Sequence, residues 1–458
     1  MHLTLRNSLT GVDTPFTPIN PARVRVYACG PTVYGRAHIG NLRAAVSFDL
    51  LVRVLRRLYG DDHVVFARNL TDVDDKITAA ARDRFPGVPL NDAIVAVAEP
   101  AIAAWHADTA ALGARPADIE PRATRHIVAM QDMIATLVQR GHAYTSEGHV
   151  LFSVADAPQV ALGALGRRPD APEEAVLHSR TGALAAKRHP QDFVLWKPSG
   201  ADHPAWPSPW GMGRPGWHIE CSAMAKEHLG ERFDLHAGGR DLMVPHHANE
   251  ILQSACSCSG HPTVQAQTWV HSGLVTVEGV KMSKSLGNIL TMDALAGVAP
   301  VVVRLAFLTA RYRNDFDWSD ALVAQSTALW RRLSAAAQGQ DPSGPVPDVV
   351  WTALLDDLNT PQALAALVAE ADQGGTGVAA GLALLGLLDA TQDVAVDSDV
   401  ARRIDALVTA RTVARHTKNW AESDRLRGIL ASAGVALSDG PQGTTWSLTP
   451  GFDPRNLL

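Results

Sequence analysis

A chain of 458 residues is too long to fold around one core, so three or four domains are expected. With 46% apolar and 19% charged residues it reads as globular, and no apolar run approaches the ~20 residues that span a bilayer. The net charge of −6 gives no global basic field, so a nucleic-acid partner would need a local patch. The four cysteines (Cys29, Cys221, Cys256, Cys258) form no disulfide framework, and the first residues lack the pattern of a secretory signal. A cytoplasmic location away from membranes is expected.

Val24 to Ala28 alternates like a short strand, and Leu42 to Leu58 carries apolar residues at helical spacing, with Arg43, Arg53 and Arg57 on other faces. Between them lies Cys29-Gly30-Pro31-Thr32-Val33-Tyr34-Gly35-Arg36-Ala37-His38-Ile39-Gly40-Asn41. A strand, a glycine-rich turn and a helix place backbone N–H groups and a positive helix end over a ligand's phosphates. His38 adds an imidazole donor, and Gly30 and Gly40 allow close approach of the backbone.

His63 to Ala67 reads as a second strand, followed by the acidic Thr71 to Asp75 turn. Leu90 to Gly141 is helical with breaks at Pro100, Pro116 and Pro121, and Ala143 to Val154 is a hairpin. Residues 155 to 215, rich in Pro, Gly and Arg, read as an inserted domain rather than core. Strand-like sequence resumes at Phe233 to His236 and at Thr268 to Val277, so an insertion splits a nucleotide-binding sheet. Beyond about residue 290 the chain is mostly helical; Asn359-Thr360-Pro361 is a helix start, and residues 337 to 348 read as a linker. From Arg402 to Arg427 seven Lys/Arg face three Asp/Glu.

The string Lys281-Met282-Ser283-Lys284-Ser285 is the most specific in the chain, since a given pentapeptide arises by chance in roughly one such chain in ten thousand. Two lysines on a mobile loop suit a polyphosphate whose charge builds during transfer. Together with His38-Ile39-Gly40, it resembles the paired signatures of the class I aminoacyl-tRNA synthetases. Gly216-Trp217-His218-Ile219-Glu220-Cys221-Ser222, Pro245-His246-His247-Ala248-Asn249-Glu250 and the opening Cys29-Gly30-Pro31 narrow the resemblance to the cysteinyl-tRNA synthetase family over essentially the whole chain.

The resemblance implies an α/β fold: a Rossmann-type parallel-sheet catalytic domain with an insertion, then a helical bundle and a small C-terminal anticodon-binding domain. The expected segments are 1–120 and 213–275 (catalytic halves), 121–212 (insertion), 276–340 (stem contact), 341–399 (helical bundle) and 400–458 (anticodon binding). It implies one Zn2+ per chain on Cys29, Cys221, His246 and Glu250. His246 and Glu250 are four apart, so a helix would put both on one face, whereas His247 would point elsewhere. Cys256 and Cys258 read as ordinary thiols.

The implied reaction joins L-cysteine to ATP with Mg2+, giving cysteinyl-adenylate, and passes cysteine to tRNA(Cys). His38 would serve the α-phosphate and Lys281 and Lys284 the pyrophosphate. Gly30, Gly40, Gly239 and Asp241 would line the nucleotide, with Asp241 on either the ribose or the amino group. Trp217 and Thr71 would border the amino acid. A pocket gains only ~1–3 kcal/mol from the small difference between cysteine and serine, so a soft metal is the better discriminator. Trp420 and Trp446 in the basic tail suit stacking on unpaired bases.

Asn41 departs from the common His of the first signature and donates without carrying charge. Gly35 and Ala248 replace a common Asp and Glu. A monomer is expected. Two rival readings share most of these features: a ligase joining cysteine to an amino sugar-inositol, which lacks the basic tail, and a non-catalytic RNA-binding paralogue.

Overall fold

The computed structural model describes residues 2–158, 185–259, 264–283, 286–390, 398–440, 443–448 and 454–457. The chain opens with the antiparallel hairpin β1 (Thr4–Asn7) and β2 (Val12–Pro15), continuing through β3 (Val24–Ala28), α1 (Ile39–Tyr59) and β4 (Val64–Arg68). Helices α2 (Asp75–Arg84), α3 (Leu90–Ala111) and α4 (Ile127–Gln139) follow. Strands β5 (Ala143–Ser146), β6 (His149–Phe152), β7 (Phe193–Pro198) and β8 (Gly213–Pro215) then form an antiparallel sheet in that order. Next come α5 (Trp217–Leu229), β9 (Phe233–Gly239), α6 (Ala248–Ser257) and β10 (Ala266–Ser272).

β10, β9, β3 and β4 form one parallel sheet in that order. β3 and β9 are buried along nearly their whole length, as strands covered on both faces must be. From β3 the chain crosses by α1 to β4 on one side, while β9 and β10 lie on the other. The topological switch therefore falls between β3 and β9, where ligands of such sheets bind beyond the strand ends. Cys29 follows β3 directly and donates its N–H to Ala237 O on β9 at 3.0 Å.

Arg43 and Arg53 do not lie on other faces of α1, as expected: Arg43 stands four residues after Ile39 and Arg53 three after Leu50, so both share the apolar face and are buried. Arg43 donates to the carbonyls of Gly273, Asn314 and Arg311 at 3.0–3.2 Å, fixing the turn beyond β10. Arg53 donates to Asp49 Oδ2 at 2.8 Å and to Gly113 O at 2.8 Å. Helix α7 (Pro300–Leu308) sends Arg304 to the same Asp49 oxygen at 2.6 Å and to the carbonyls of Leu112 and Leu385. These charges tie α1 to the helical region behind it.

The remaining elements are the small sheet of β11 (Val275–Val277), β12 (Val280–Lys281) and β13 (Phe316–Trp318), and helices α8 (Asp320–Ala337), α9 (Asp348–Leu355), α10 (Thr360–Asp372) and α11 (Val378–Leu384). The tail contributes α12 (Ser398–His416), α13 (Trp420–Ser432) and the hairpin β14 (Val435–Gly440) and β15 (Gly443–Leu448). Asn359 caps α10, its side chain accepting from Gln362 N–H. No described helix is long and apolar enough to cross a membrane.

Three expectations need correction. Pro100 does not break the helix; α3 runs through it because Pro100 faces solvent while Val97, Ala101 and Trp105 keep one continuous buried face. The strand expected from Thr268 to Val277 divides at Gly273, whose missing side chain admits the Asn314 backbone, where a Cβ would sit 2.0 Å from the carbonyl oxygen. The insertion is not coreless: Phe152, Phe193 and Trp196 are fully buried, packed with Met130, Met224 and Trp269 in the second core of the molecule. Composition hid this, because a few large aromatics close a small sheet among many polar residues.

Candidate metal and nucleotide site

Cys29 leaves the end of β3 beside Gly30, whose backbone lies so near β4 that a Cβ would meet Asn69 O at 1.6 Å. Gly30 N–H donates to Asn69 Oδ1 at 3.0 Å, and Thr71 joins the same seam through Thr71 N to Pro31 O and Val33 N to Thr71 O, both 3.1 Å. Thr71 is buried, its hydroxyl accepting from Asn69 Nδ2 at 3.3 Å, so it holds the wall of the site.

Helix α5 carries Cys221, whose Sγ lies 3.7 Å from that of Cys29. The turn before α6 supplies two histidines: His246 Nε2 is 3.7 Å and His247 Nε2 3.3 Å from Cys29 Sγ. Glu250 Oε1 completes the cluster, 3.7 Å from Cys29 Sγ and 2.9 Å from His246 Nε2. The ligand atoms of Cys29, His246, His247 and Glu250 all lie within 4.8 Å of one another.

His247 does not point elsewhere, as the sequence suggested. It stands three residues before Glu250 and His246 four before, and both spacings fall on one helical face. Gly238 at the end of β9 admits the His247 ring, since a Cβ there would meet His247 Cε1 at 2.5 Å. His271 Nε2 faces His247 Nδ1 at 2.7 Å, and His218 Nδ1 faces His246 Nδ1 at 3.0 Å. His236, stacked on Trp269, brings a further Nε2 to 3.5 Å from Cys29 Sγ.

Burial pushes the imidazoles of His218, His236 and His247 well below 6.5, so they present lone pairs rather than charge. Burial likewise pushes the Glu250 carboxyl and the Cys29 thiol up, while the hydrogen bond with Cys29 draws Cys221 down to about 7 against burial. Glu250 Oε2 is buried with no hydrogen-bond partner among the described residues, His236 Nε2 lying 3.6 Å from it. Sulfur, imidazole and carboxylate groups converging in a dry cluster fit a metal cation of borderline softness. Cys256 and Cys258 are buried elsewhere, and burial raises Cys256 to about 12, as suits an inert thiol.

His38 caps α1. Its Nδ1 accepts from Gly40 N–H at 3.1 Å and Asn41 N–H at 3.4 Å, which leaves the ring proton on Nε2. Ile39 N–H donates to Leu290 O at 2.9 Å, and Asn41 N–H also reaches His38 O. The first N–H groups of the helix are therefore matched within the protein, contrary to the expectation that they face phosphate. The helix offers its dipole and the His38 Nε2–H instead. Burial lowers the His38 pKa, opposed by the charge of Asp241.

The second signature packs against the first. His38 and Thr291 form a β-bridge, and Met282 Cε lies 3.6 Å from where a Cβ on Gly40 would be. Asn288 brackets the loop, accepting from Ser283 N–H at 2.9 Å and donating to Lys281 O at 3.2 Å. Lys281 is exposed; Lys284 and Ser285 lie outside the described residues. Gly239 ends β9 and Asp241 follows it on the exposed side. Trp217 starts α5 with its ring stacked on His246, centroids 4.4 Å apart, and is 38% exposed, so one face remains open.

Residues 15–328 match the family model of the class I (C) tRNA synthetase catalytic domain, and residues 397–446 match that of the cysteinyl-tRNA ligase anticodon binding domain. The chain belongs to the cysteine–tRNA ligase family. The cysteine–tRNA ligase of Afipia carboxidovorans is 46% identical over 98% of this chain and 100% of its own length. That of Methylocella silvestris is 46% identical over the same shares. Among solved structures, the methionyl-tRNA synthetase of Mycobacterium tuberculosis in complex with methionyl-adenylate covers 88% of this chain and 87% of its own, with a TM-score of 0.50 at 19% identity. That likeness shows the shared α/β architecture.

Within the tail, Trp420 is 60% exposed, whereas Trp446 packs into the small core with its Nε1–H on Asp405 Oδ1 at 2.7 Å. Trp446 is therefore half committed to structure. Sequence reasoning missed His236, Asn69, Gly238 and Asn288. Only His247 carried a readable signal, its three-residue spacing to Glu250.

Proposed function

We propose that the chain activates L-cysteine with ATP and transfers it to the terminal adenosine of tRNA(Cys), with Cys29, Cys221, His246 and Glu250 holding a Zn2+ ion. The observation that supports this reading is the gathering of Cys29, His246, His247 and Glu250 at the switch of a parallel sheet, with Cys221 Sγ 3.7 Å from Cys29 Sγ, beside a helix capped by His38. A bound zinc supplies a soft acceptor for the substrate's thiolate, which a hydroxyl satisfies far less well.

The protein's own groups do the rest by positioning and charge. His38 Nε2–H donates to the α-phosphate as charge develops there, and Asn41 adds a neutral donor. Lys281 and Lys284 meet the departing pyrophosphate, with Mg2+ on the nucleotide. Gly239 lets the backbone close on the nucleotide and Asp241 orients ribose or the amino group, whereas Gly30 packs on Asn69 and Gly40 under the His38 ring, shaping the turn rather than facing the ligand as expected. Trp217 closes over the amino-acid side chain, and Thr71 stiffens the opposite wall. Residues 1–120 and 213–275 act as the catalytic halves around the insertion, 276–340 as the stem contact and 400–458 as the anticodon reader, with Trp420 a stacking surface. The chain works as a cytoplasmic monomer.

The test is cysteine-dependent exchange of pyrophosphate into ATP, run with metal analysis and with aminoacylation of deacylated tRNA(Cys) in the presence of competing serine. Exchange with zinc bound and serine rejected supports the reading. Active protein that is metal-free, or equally selective after chelation, overturns it.

A further inference from the structure

A second cluster of ligating side chains joins α4 to α5, outside the site above. His126 immediately precedes α4, and Glu227 and His228 lie in the last turn of α5. His126 Nε2 and His228 Nε2 face one another at 2.8 Å, and Glu227 Oε1 is 3.9 Å from His126 Nε2. The ligand atoms of all three lie within 4.8 Å of one another. The His126 side chain is 11% exposed and that of Glu227 48%, so the cluster is walled on one side and open to water on the other.

An independent observation lies behind His126. Its Nδ1 is 2.7 Å from the carbonyl oxygen of Arg122, and a carbonyl oxygen only accepts. The ring proton therefore sits on Nδ1, and Nε2 aims a lone pair at His228. Metal-binding imidazoles are held in the same way, their outer N–H donated to a backbone carbonyl or carboxylate. The Arg122 carbonyl thus sets one ligand before any ion arrives. Two imidazole nitrogens and a carboxylate oxygen are borderline donors that select zinc and its neighbours over Mg2+ or Ca2+. Tetrahedral zinc, with Zn–N of about 2.0–2.1 Å, spaces its nitrogens about 3.3 Å apart, so a small rotation of two partly exposed rings suffices.

We propose that His126, Glu227 and His228 bind a second divalent transition-metal ion of the zinc type, with one position left to water. The ion clamps the end of α5 to the start of α4. Cys221 lies about two turns earlier on α5, so the clamp fastens the helix that presents a ligand of the first site.

Equilibrium dialysis of the full chain against Zn2+, with metal counted per chain, tests this. Two equivalents are expected for the unaltered protein, and H126A and H228A should each retain one and weaken the other at least 10-fold. C221S removes the opposite equivalent, so the two sites stand or fall separately. Co2+ substitution checks that the histidine variants remain folded: the sulfur-to-cobalt absorption of the cysteine site should persist in H228A. Added Zn2+ should raise the melting temperature of protein already loaded at the cysteine site, and should not do so in H228A. A second equivalent that survives in both histidine variants overturns the proposal, as does its absence from the unaltered protein; His126 and His228 would then form only a hydrogen bond.

Discussion

Two buried polar clusters lie on opposite sides of the first βα unit, and they are built on opposite principles. Around Asp49 every charge has its complement. Arg53 and Arg304 both reach Oδ2, Arg115 N–H donates to Oδ1 at 2.9 Å, and the guanidinium arms cap carbonyls that end neighbouring elements. Around Cys29 sulfur, imidazole and carboxyl groups gather at 3.3–3.7 Å, and Glu250 Oε2 has no hydrogen-bond partner among the described residues, His236 Nε2 standing 3.6 Å away. A closed network fastens helices together. A cluster of thiol, imidazole and carboxyl groups within 4 Å of Cys29 Sγ is compatible with a metal cation once its protons are lost.

Breaking the closed cluster should have the largest effect. Asp49→Ala leaves Arg304 charged, buried and uncompensated, which costs about 3–5 kcal/mol; thermal melting should show it. The surrounding guanidinium groups overcome burial and hold the Asp49 carboxyl below its usual 3.8. Its stabilisation is therefore complete above that pH and drains away as pH falls through the folded-state pKa. Denaturation followed against pH should show this loss in the unaltered protein and not in Asp49→Ala.

Breaking the open cluster should spare the fold more and the chemistry less. Cys221→Ser removes a proposed ligand, and cysteine-dependent pyrophosphate exchange should drop by more than about 100-fold, beyond what loss of a mere supporting group costs. His247→Ala sharpens the comparison: metal affinity should fall about 10- to 100-fold, and an unchanged metal content would place His247 outside the cluster's work. Gly238→Ala should mimic it, because the added Cβ displaces the His247 ring. Trp217→Ala is the mildest change, expected to raise the KM for cysteine about 10-fold, by loss of about 1–2 kcal/mol of ring contact, while zinc stays bound.

Much of this was legible in the sequence because it is local. The strand of Val24 to Ala28, the α1 periodicity, the Asn359 cap and the alternation around Glu147-Gly148 are each written within a few residues. The family motifs named Cys29, Cys221, His246 and Glu250; the structure gathers Cys29, His246 and Glu250 with His247, and places Cys221 Sγ 3.7 Å from Cys29 Sγ. Other features resisted reading because their partners are distant. Helical spacing puts Arg43 and Arg53 in the apolar face of α1, but nothing near them names the carbonyls of Gly273, Arg311, Asn314, Gly113 and Ala383 that receive their charges. The insertion looked coreless because Trp196 packs against residues of other elements.

The sequence by itself determined the order of elements, the caps, the two signature strings and the chemical types available for ligation. Tertiary structure alone decided which of them meet: Cys29 touches Cys221 across 192 residues and Glu250 across 221. It also turned His247 inward, withdrew the α1 N–H groups behind His38, and set His126 against His228. Helical and strand periods extend over neighbouring residues, whereas a ligand cluster exists only where separate elements close on one point in space, and no local pattern encodes that closure.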